Sequence, residues 1–245
     1  MFDISLLYVF LITLAGSFLQ ANIGFGFPVI AMIFLPMILP FQTAVLVCQL
    51  IAFISVLILS IKYFTFIQWK LLLPLLIVSM IVTGVITITS FSFDSSILTI
   101  SLAIMLVLLS VYFFIFSNRI KIKPTVLIGA VMGGISGVGN GLFSIGGPAV
   151  VLYLLQSVKR KESYLATIQF YFLINNLIGI TIRLSKGALN AEHLPLIFVG
   201  WIGIGTGTLL GIKTFQLIPM TGLKKMVYLF VGISGIWLIL SSIFL

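Results

Sequence analysis

Two glycine-rich segments that each end in a proline, Gly24–Pro28 and Gly137–Pro148, hold the residues of this chain best suited to bind a ligand. Proline is favoured at the first position of a helix, because its missing N–H would have no partner there in any case. Each segment therefore predicts a helix that begins at its proline, with free backbone N–H groups and a partial positive charge at that end. Two such helix ends that face each other would bind an anion.

The side chains and glycines of the two segments supply the groups of the predicted site. Glycine lets a ligand approach the backbone closely, and nearby amides and hydroxyls add side-chain donors. An alternative interpretation is that the glycines only allow helices to pack closely, as small residues do in membranes. The predicted substrate-binding residues in these segments are Asn22, Gly24, Gly26, Pro28, Asn140, Ser144, Gly146, Gly147 and Pro148, with Ser136 as a further donor.

Two glutamines inside apolar runs, Gln49 and Gln169, form a second candidate pair. They lie 120 residues apart, which is also the interval between the two prolines that end the glycine-rich segments. An unsatisfied amide is costly to bury in hydrocarbon, so each glutamine is expected to bond the loosened backbone of a helix break or the substrate. Hydrogen bonding between helices is the alternative. Asn175 and Asn176 follow Gln169 on the same predicted helix and are further candidates.

The composition indicates that the elements positioning these residues lie in a membrane. Of the 245 residues, 61% are hydrophobic and 7% are charged, with a mean hydropathy of +1.35, whereas a soluble domain has about 25% charged residues. The 13 basic residues outnumber the 4 acidic ones, and they fall in short loops between apolar runs, as the positive-inside rule predicts. We therefore predict that the protein contacts a lipid bilayer and no nucleic acid.

The apolar runs repeat along the chain. Ten runs are present, five in each half, and glycine, proline and glutamine positions match between the halves at an interval of 120 or 121 residues. The runs that begin at Pro28 and Pro148 are shorter than the roughly 20 residues that a spanning helix needs, so they either span or re-enter. An odd number of crossings per half inverts one half relative to the other. The prediction is an all-α, polytopic integral membrane protein of two inverted repeats, residues 1–120 and 121–245, with broken or re-entrant short helices.

The charges of the loops predict the orientation. With both termini outside, 11 of the 13 basic residues fall in loops on one side, and only Arg183 and Lys186 fall on the other. Basic loops mark the cytoplasmic side, so we predict a multi-pass protein of the cell inner membrane with both termini outside. In this arrangement Arg183 either guides anions at the outer mouth or extends to the interface from a helix end.

The distribution of the acidic residues restricts the substrate. A cation pathway normally has a carboxylate within a span, and the four acidic residues of this chain all lie at the ends of apolar runs, so an anionic or neutral substrate is predicted. One cysteine and one histidine leave no metal-ligand spacing and no catalytic set of side chains. The chain is therefore predicted to be no enzyme and to use no metal or cofactor. The acidic residues are Asp3, Asp94, Glu162 and Glu192.

The sequence resembles the TauE/SafE family of sulfite exporters over nearly its whole length. The resemblance rests on the paired glycine-rich segments and on three further stretches, Gln42–Val45, Phe66–Pro74 and Glu162–Thr167. It implies a bacterial or archaeal inner-membrane carrier of small sulfur-containing anions such as sulfite, thiosulfate or sulfonates.

The leading hypothesis is a transporter of small anions that works by alternating access between the two broken helices. A passive channel for anions or small neutral solutes is the alternative within transport. A membrane scaffold or an intramembrane enzyme is the alternative from another class. Large apolar faces are normal in lipid, so the sequence allows a homo-oligomer without indicating one.

Overall fold

The computed structural model describes residues 2–116, 124–219, 221, 222 and 226, and this part of the chain is helical, without a strand. The tenth apolar run of the sequence and the boundary between the halves at residue 120 lie almost entirely outside the described residues. Three 3-10 turns, Leu35–Met37, Phe64–Phe66 and Ala191–His193, connect longer helices. The α-helices of the described residues are α1 Phe2–Ile23, α2 Phe27–Phe34, α3 Phe41–Lys62, α4 Trp69–Ser90, α5 Ser95–Phe116, α6 Val126–Phe143, α7 Gly147–Ser157, α8 Lys161–Ser185 and α9 Leu194–Leu217.

Six of the described helices, α1, α3, α4, α6, α8 and α9, are long and apolar enough to cross a membrane. At 1.5 Å per residue the 22 residues of α4 extend about 33 Å, close to the roughly 30 Å hydrocarbon core of a bilayer. Along α4, Ile77, Ile81, Val85 and Ile88 form an exposed apolar stripe at helical spacing. Such a surface suits lipid rather than water. The prediction of an all-α, polytopic membrane protein is confirmed.

The two short helices fold back along the helices that precede them. Phe27, the first residue of α2, packs against Gly16 in the middle of α1. In the second half, the Ser136 hydroxyl of α6 donates to the Gly146 carbonyl just before α7, with an O–O distance of 2.5 Å. We call α1 and α2 the first hairpin, and α6 and α7 the second hairpin. Each short helix therefore forms a hairpin with the helix that precedes it.

One end of the helix bundle is basic, and we call it the basic face. The Arg160 guanidinium lies 5.1 Å from the centre of the Phe66 ring, and Nζ of Lys161 donates to the Phe215 carbonyl over 2.8 Å. These contacts place the ends of α3 and α9 beside the starts of α4 and α8. At the other end of the bundle, which we call the opposite face, the start of α3 lies beside the end of α4. The basic residues of the basic face are Lys62, Lys70, Lys159, Arg160, Lys161 and Lys213.

Helix α6 runs parallel to α4 and is held against it by a stripe of glycines. Gly133 packs against the backbone of Leu75, and Gly141 packs against Ile86 two or three turns further along both helices. Helix α6 therefore begins at the basic face, where α4 begins. Close packing, the alternative interpretation of the glycines, applies to this stripe because a side chain there would separate the two helices. The glycines of the stripe are Gly129, Gly133, Gly137 and Gly141.

Helix α1 runs parallel to α9 in the same way. Gly203 of α9 packs against Thr13, and Gly211 packs against Ala21 further along α1. Because α9 ends at the basic face, α1 begins at the opposite face. The two hairpins therefore enter the bundle from opposite ends.

Candidate functional site

The tip of the first hairpin is a glycine turn whose freed backbone is bonded by α8. Gly24 and Gly26 have φ angles of 89° and 125°, which only glycine adopts without steric cost. The Tyr164 hydroxyl donates to the Ile23 carbonyl over 2.8 Å, and Nε2 of Gln169 donates to the Gly24 carbonyl over 2.8 Å. Backbone groups at membrane depth need such partners. Gln169 therefore takes one of its two predicted roles, bonding the loosened backbone of a break.

The tip of the second hairpin is built differently. Ser144, which lies 120 residues after Gly24, has a φ of 61°, a left-handed conformation that is uncommon outside glycine. The side chain of Asn140 lies against Gly146. Nη2 of Arg183 donates to the Gly141 carbonyl over 2.7 Å, at the end of α6. Unlike the first tip, the second tip is thus bonded by a charged side chain.

The two helix starts meet near the middle of the bundle. The ring of Phe25, in the first break, packs against Gly147 at the start of α7. Between the breaks lies a cavity with about 20 Å³ of space for water-sized molecules, and a single water needs roughly 10–15 Å³ of such space. This space therefore holds about one water molecule, which is smaller than an oxyanion such as sulfite. Its lining includes Gly26 and Pro28 of the first break, Ser144 and Gly147 of the second, and the polar side chains of Gln20 and Asn176.

The remaining predicted residues lie around this cavity rather than on its wall. Gly146 and Pro148 line a separate, largely apolar cavity of about 550 Å³ beside the second hairpin. Asn22 faces α9, where its Oδ1 accepts a hydrogen bond from the Thr214 hydroxyl over 2.9 Å. Gln49 accepts a hydrogen bond from Nη1 of Arg183 over 3.3 Å, so it reaches the second tip only through that side chain.

Sequence reasoning missed a buried hydroxyl network behind the second break. The Tyr171 hydroxyl of α8 lies 2.5 Å from Oγ of Ser79 and donates to Ser136 over 2.6 Å. Ser79 and Thr83 both donate to Oδ1 of Asn175, over 2.8 and 2.9 Å. Because Ser136 holds the Gly146 carbonyl, this network fixes the backbone before α7. The available signal was the spacing of hydroxyl residues along α4, which put Ser79 and Thr83 on one face of an apolar helix.

The position of Arg183 also differs from the expectation. The sequence placed it at the outer mouth or at the membrane interface, but its side chain is fully buried, with 0% exposed. The Cα–Cβ bond of a helical residue tilts toward the helix N-terminus, so this side chain reaches from the last turns of α8 back into the bundle. There the end of α6 supplies the carbonyl that it bonds.

Two hairpins that enter the bundle from opposite ends, with helix starts that meet at mid-bundle, are typical of membrane transport proteins. The sequence model of the family described as Sulfite exporter TauE/SafE matches residues 8–238. The chain belongs to this family, whose members are membrane transporters and not enzymes. No curated protein and no solved structure matches the chain.

Proposed function

We propose that this protein transports a small sulfur-containing anion by alternating access, with the anion held between the starts of α2 and α7. The observation that carries the proposal is the cavity that both breaks share, with Gly26 and Gly147 on its wall. A helix start offers free N–H groups and about half a positive charge. Sulfur chemistry is favoured by membership of a sulfite exporter family.

The size of the cavity favours a carrier over a permanently open channel. Space for about one water molecule, roughly 20 Å³, is too small to hold a sulfite-sized ion between the breaks. An alternating-access carrier passes through states in which its central site is this narrow, whereas an open channel would keep a wider pore. The passive channel for anions or small neutral solutes remains the second candidate, and saturation and counterflow distinguish the two.

We further propose that the basic face is cytoplasmic, because basic loops mark that side. Helix α1 begins at the opposite face, so this orientation places the N-terminus outside the cell membrane. The C-terminus would also be outside if the last apolar run crosses once. Residues 1–120 and 121–245 are then the two repeats that move against each other.

The test is flux into proteoliposomes with sulfite, thiosulfate, sulfate and a small sulfonate, with and without a pH gradient. Selective, saturable uptake of one sulfur anion with counterflow is the expected result, and the response to the gradient reports the coupling. Asn176→Leu, which fills the cavity and removes a polar group, should lower flux about tenfold or more. The matched control is the neighbouring Leu177→Ala, because Leu177 is exposed on the same helix. Equal flux in the two variants would refute the site.

A further inference from the structure

Arg183 is a buried cation whose partners are neutral. Nη2 donates to the Gly141 carbonyl over 2.7 Å, and Nη1 donates to Oε1 of Gln49 over 3.3 Å. Among the described residues its Nε has no hydrogen-bond partner. The side chain is thus held in place by one strong bond and one long bond, while its Nε stays without a partner.

The positive charge of Arg183 is not compensated within the described part of the chain. Its two ion pairs join Arg160 to Glu162 and His193 to Glu192, and neither involves Arg183. The end of α6 supplies about half a negative charge through its dipole, which leaves part of the guanidinium charge unbalanced. A buried charge without a counter-charge is costly, so this position attracts an anion.

Arg183 also lies beside the proposed path. Its partner Gly141 is three residues before Ser144, which lines the central cavity. On α8, Asn176 of the cavity wall precedes Arg183 by two turns. The cation therefore lies between the central cavity and the opposite face.

We infer that Arg183 is the residue that selects oxyanions in this transporter, by binding the substrate as it passes between the central cavity and the opposite face; this inference rests on the proposed function. The planar guanidinium matches two oxygens on one centre, as in sulfite or a sulfonate, better than it matches a spherical halide. To bind, Arg183 exchanges its long bond to Gln49 for substrate oxygens and uses its free Nε, while the bond to Gly141 stays.

If Arg183 only bonds the end of α6, its variants should behave differently from those of a residue that binds the substrate. Arg183→Lys keeps the charge and a donor for the Gly141 carbonyl but loses the planar fork. Arg183→Gln keeps a donor but loses the charge. Lys186→Gln is the matched control, because it removes an exposed cation one turn away on the same helix end.

The experiment measures sulfite, sulfonate and chloride uptake by proteoliposomes that contain the full chain, together with the melting temperature of the purified protein with and without each anion. Relative to wild type, we expect Arg183→Lys to raise KM about tenfold at similar maximal rate, and to reduce the preference for oxyanions over chloride. We expect Arg183→Gln to lower flux on the order of a hundredfold and to lose the melting-temperature increase caused by the oxyanion. Lys186→Gln should match wild type.

Flux, KM and oxyanion-induced stabilisation that are the same in Arg183→Gln as in wild type would overturn the inference and leave the proposed function standing. If Arg183→Gln does not fold, an unchanged KM and oxyanion preference in Arg183→Lys overturn it instead. A wild-type protein that is stabilised by the oxyanion through Arg183 but moves no anion refutes transport alone. A wild-type protein that neither binds nor moves oxyanions refutes both.

Discussion

Each of the two hairpin tips contains a break in the helical backbone, but the side chains that bond the freed backbone groups differ between them. At the first tip Gly24 takes the left-handed conformation and the neutral side chains of Tyr164 and Gln169 bond the freed carbonyls. At the second tip Ser144 takes that conformation and Arg183 bonds the end of α6. Both tips have the geometry that a membrane imposes on a broken helix, while a charged side chain bonds only the second tip. The two tips are therefore chemically unequal.

The helix packing beside the two hairpins, in contrast, is alike, and breaking it should have the largest effect. A Cβ at Gly133 would clash with the Leu75 backbone, and a Cβ at Gly207 would clash with the Leu14 backbone. Gly133→Ala and Gly207→Ala should each cost about 3 kcal/mol or more, because neither backbone can yield without separating the helices. The measurement is the folded fraction by size exclusion and the melting temperature.

Each packing variant has a neighbouring control. A Cβ at Gly134 would meet Val78 at 3.7 Å, an ordinary contact, and Gly205 has nothing within 4 Å. Alanine at these two positions should be neutral or stabilise the helix by up to about 1 kcal/mol. A large loss in only one of the two interfaces would show that the two hairpins are packed unequally after all.

Introducing the second tip's residue into the first tip should have the next largest effect. A Cβ at Gly24 would lie 3.0 Å from the Tyr164 hydroxyl, and the φ of Gly24 is 89°. Gly24→Ser should cost about 2–3 kcal/mol, from the left-handed backbone and the displaced Tyr164 bond. Gly187→Ser is the control, because Gly187 has a φ of 70° with nothing within 4 Å. Equal melting temperatures for the two variants would mean that the Tyr164 contact contributes nothing.

The helix starts are the part of this site that the sequence predicts well. Helices α2 and α7 begin at Phe27 and Gly147, each one residue before the proline that predicted it. Proline restricts its own φ and lacks an N–H. Because this effect is local, the helix start can be predicted from the sequence without knowledge of the fold. The pairing of hairpins from opposite sides was also predictable, because it follows from the parity of crossings and the loop charges.

The side chains that close the second tip could not be predicted in the same way. Arg183 directly follows an apolar run that ends at Ile182, where extension to the interface is the usual outcome. Its burial depends on a carbonyl of α6, 42 residues away in sequence, which only the folded hairpin brings within reach. Tyr171 similarly acts through Ser79 and Ser136 on two other helices. Contacts between distant helices set these roles, and no local pattern encodes them.

Substitution of the two glutamines tests the chemical difference between the tips, and its expected effect is smaller. Gln169→Leu removes the donor to the Gly24 carbonyl, and an unsatisfied buried carbonyl should lower the free energy of unfolding by about 1–3 kcal/mol. Gln49→Leu removes only the long bond that accepts from Arg183, so it should change the KM for the anion more than the stability. Melting temperature and uptake kinetics of both variants are the measurements. If both variants lose the same stability and keep the same KM, the charge at the second tip has no functional consequence.

The smallest expected effect has the opposite sign and comes from making the second tip resemble the first. The left-handed backbone of Ser144, at a φ of 61°, costs conformational free energy that glycine avoids. Ser144→Gly should therefore stabilise the protein by about 1 kcal/mol. Ser144→Ala keeps that conformation and removes only the hydroxyl from the cavity wall, and should be the less stable of the two variants. If the hydroxyl contacts the anion, both variants should raise KM equally despite their different melting temperatures. A wild-type KM in both variants would mean that Ser144 shapes the second tip without touching the substrate.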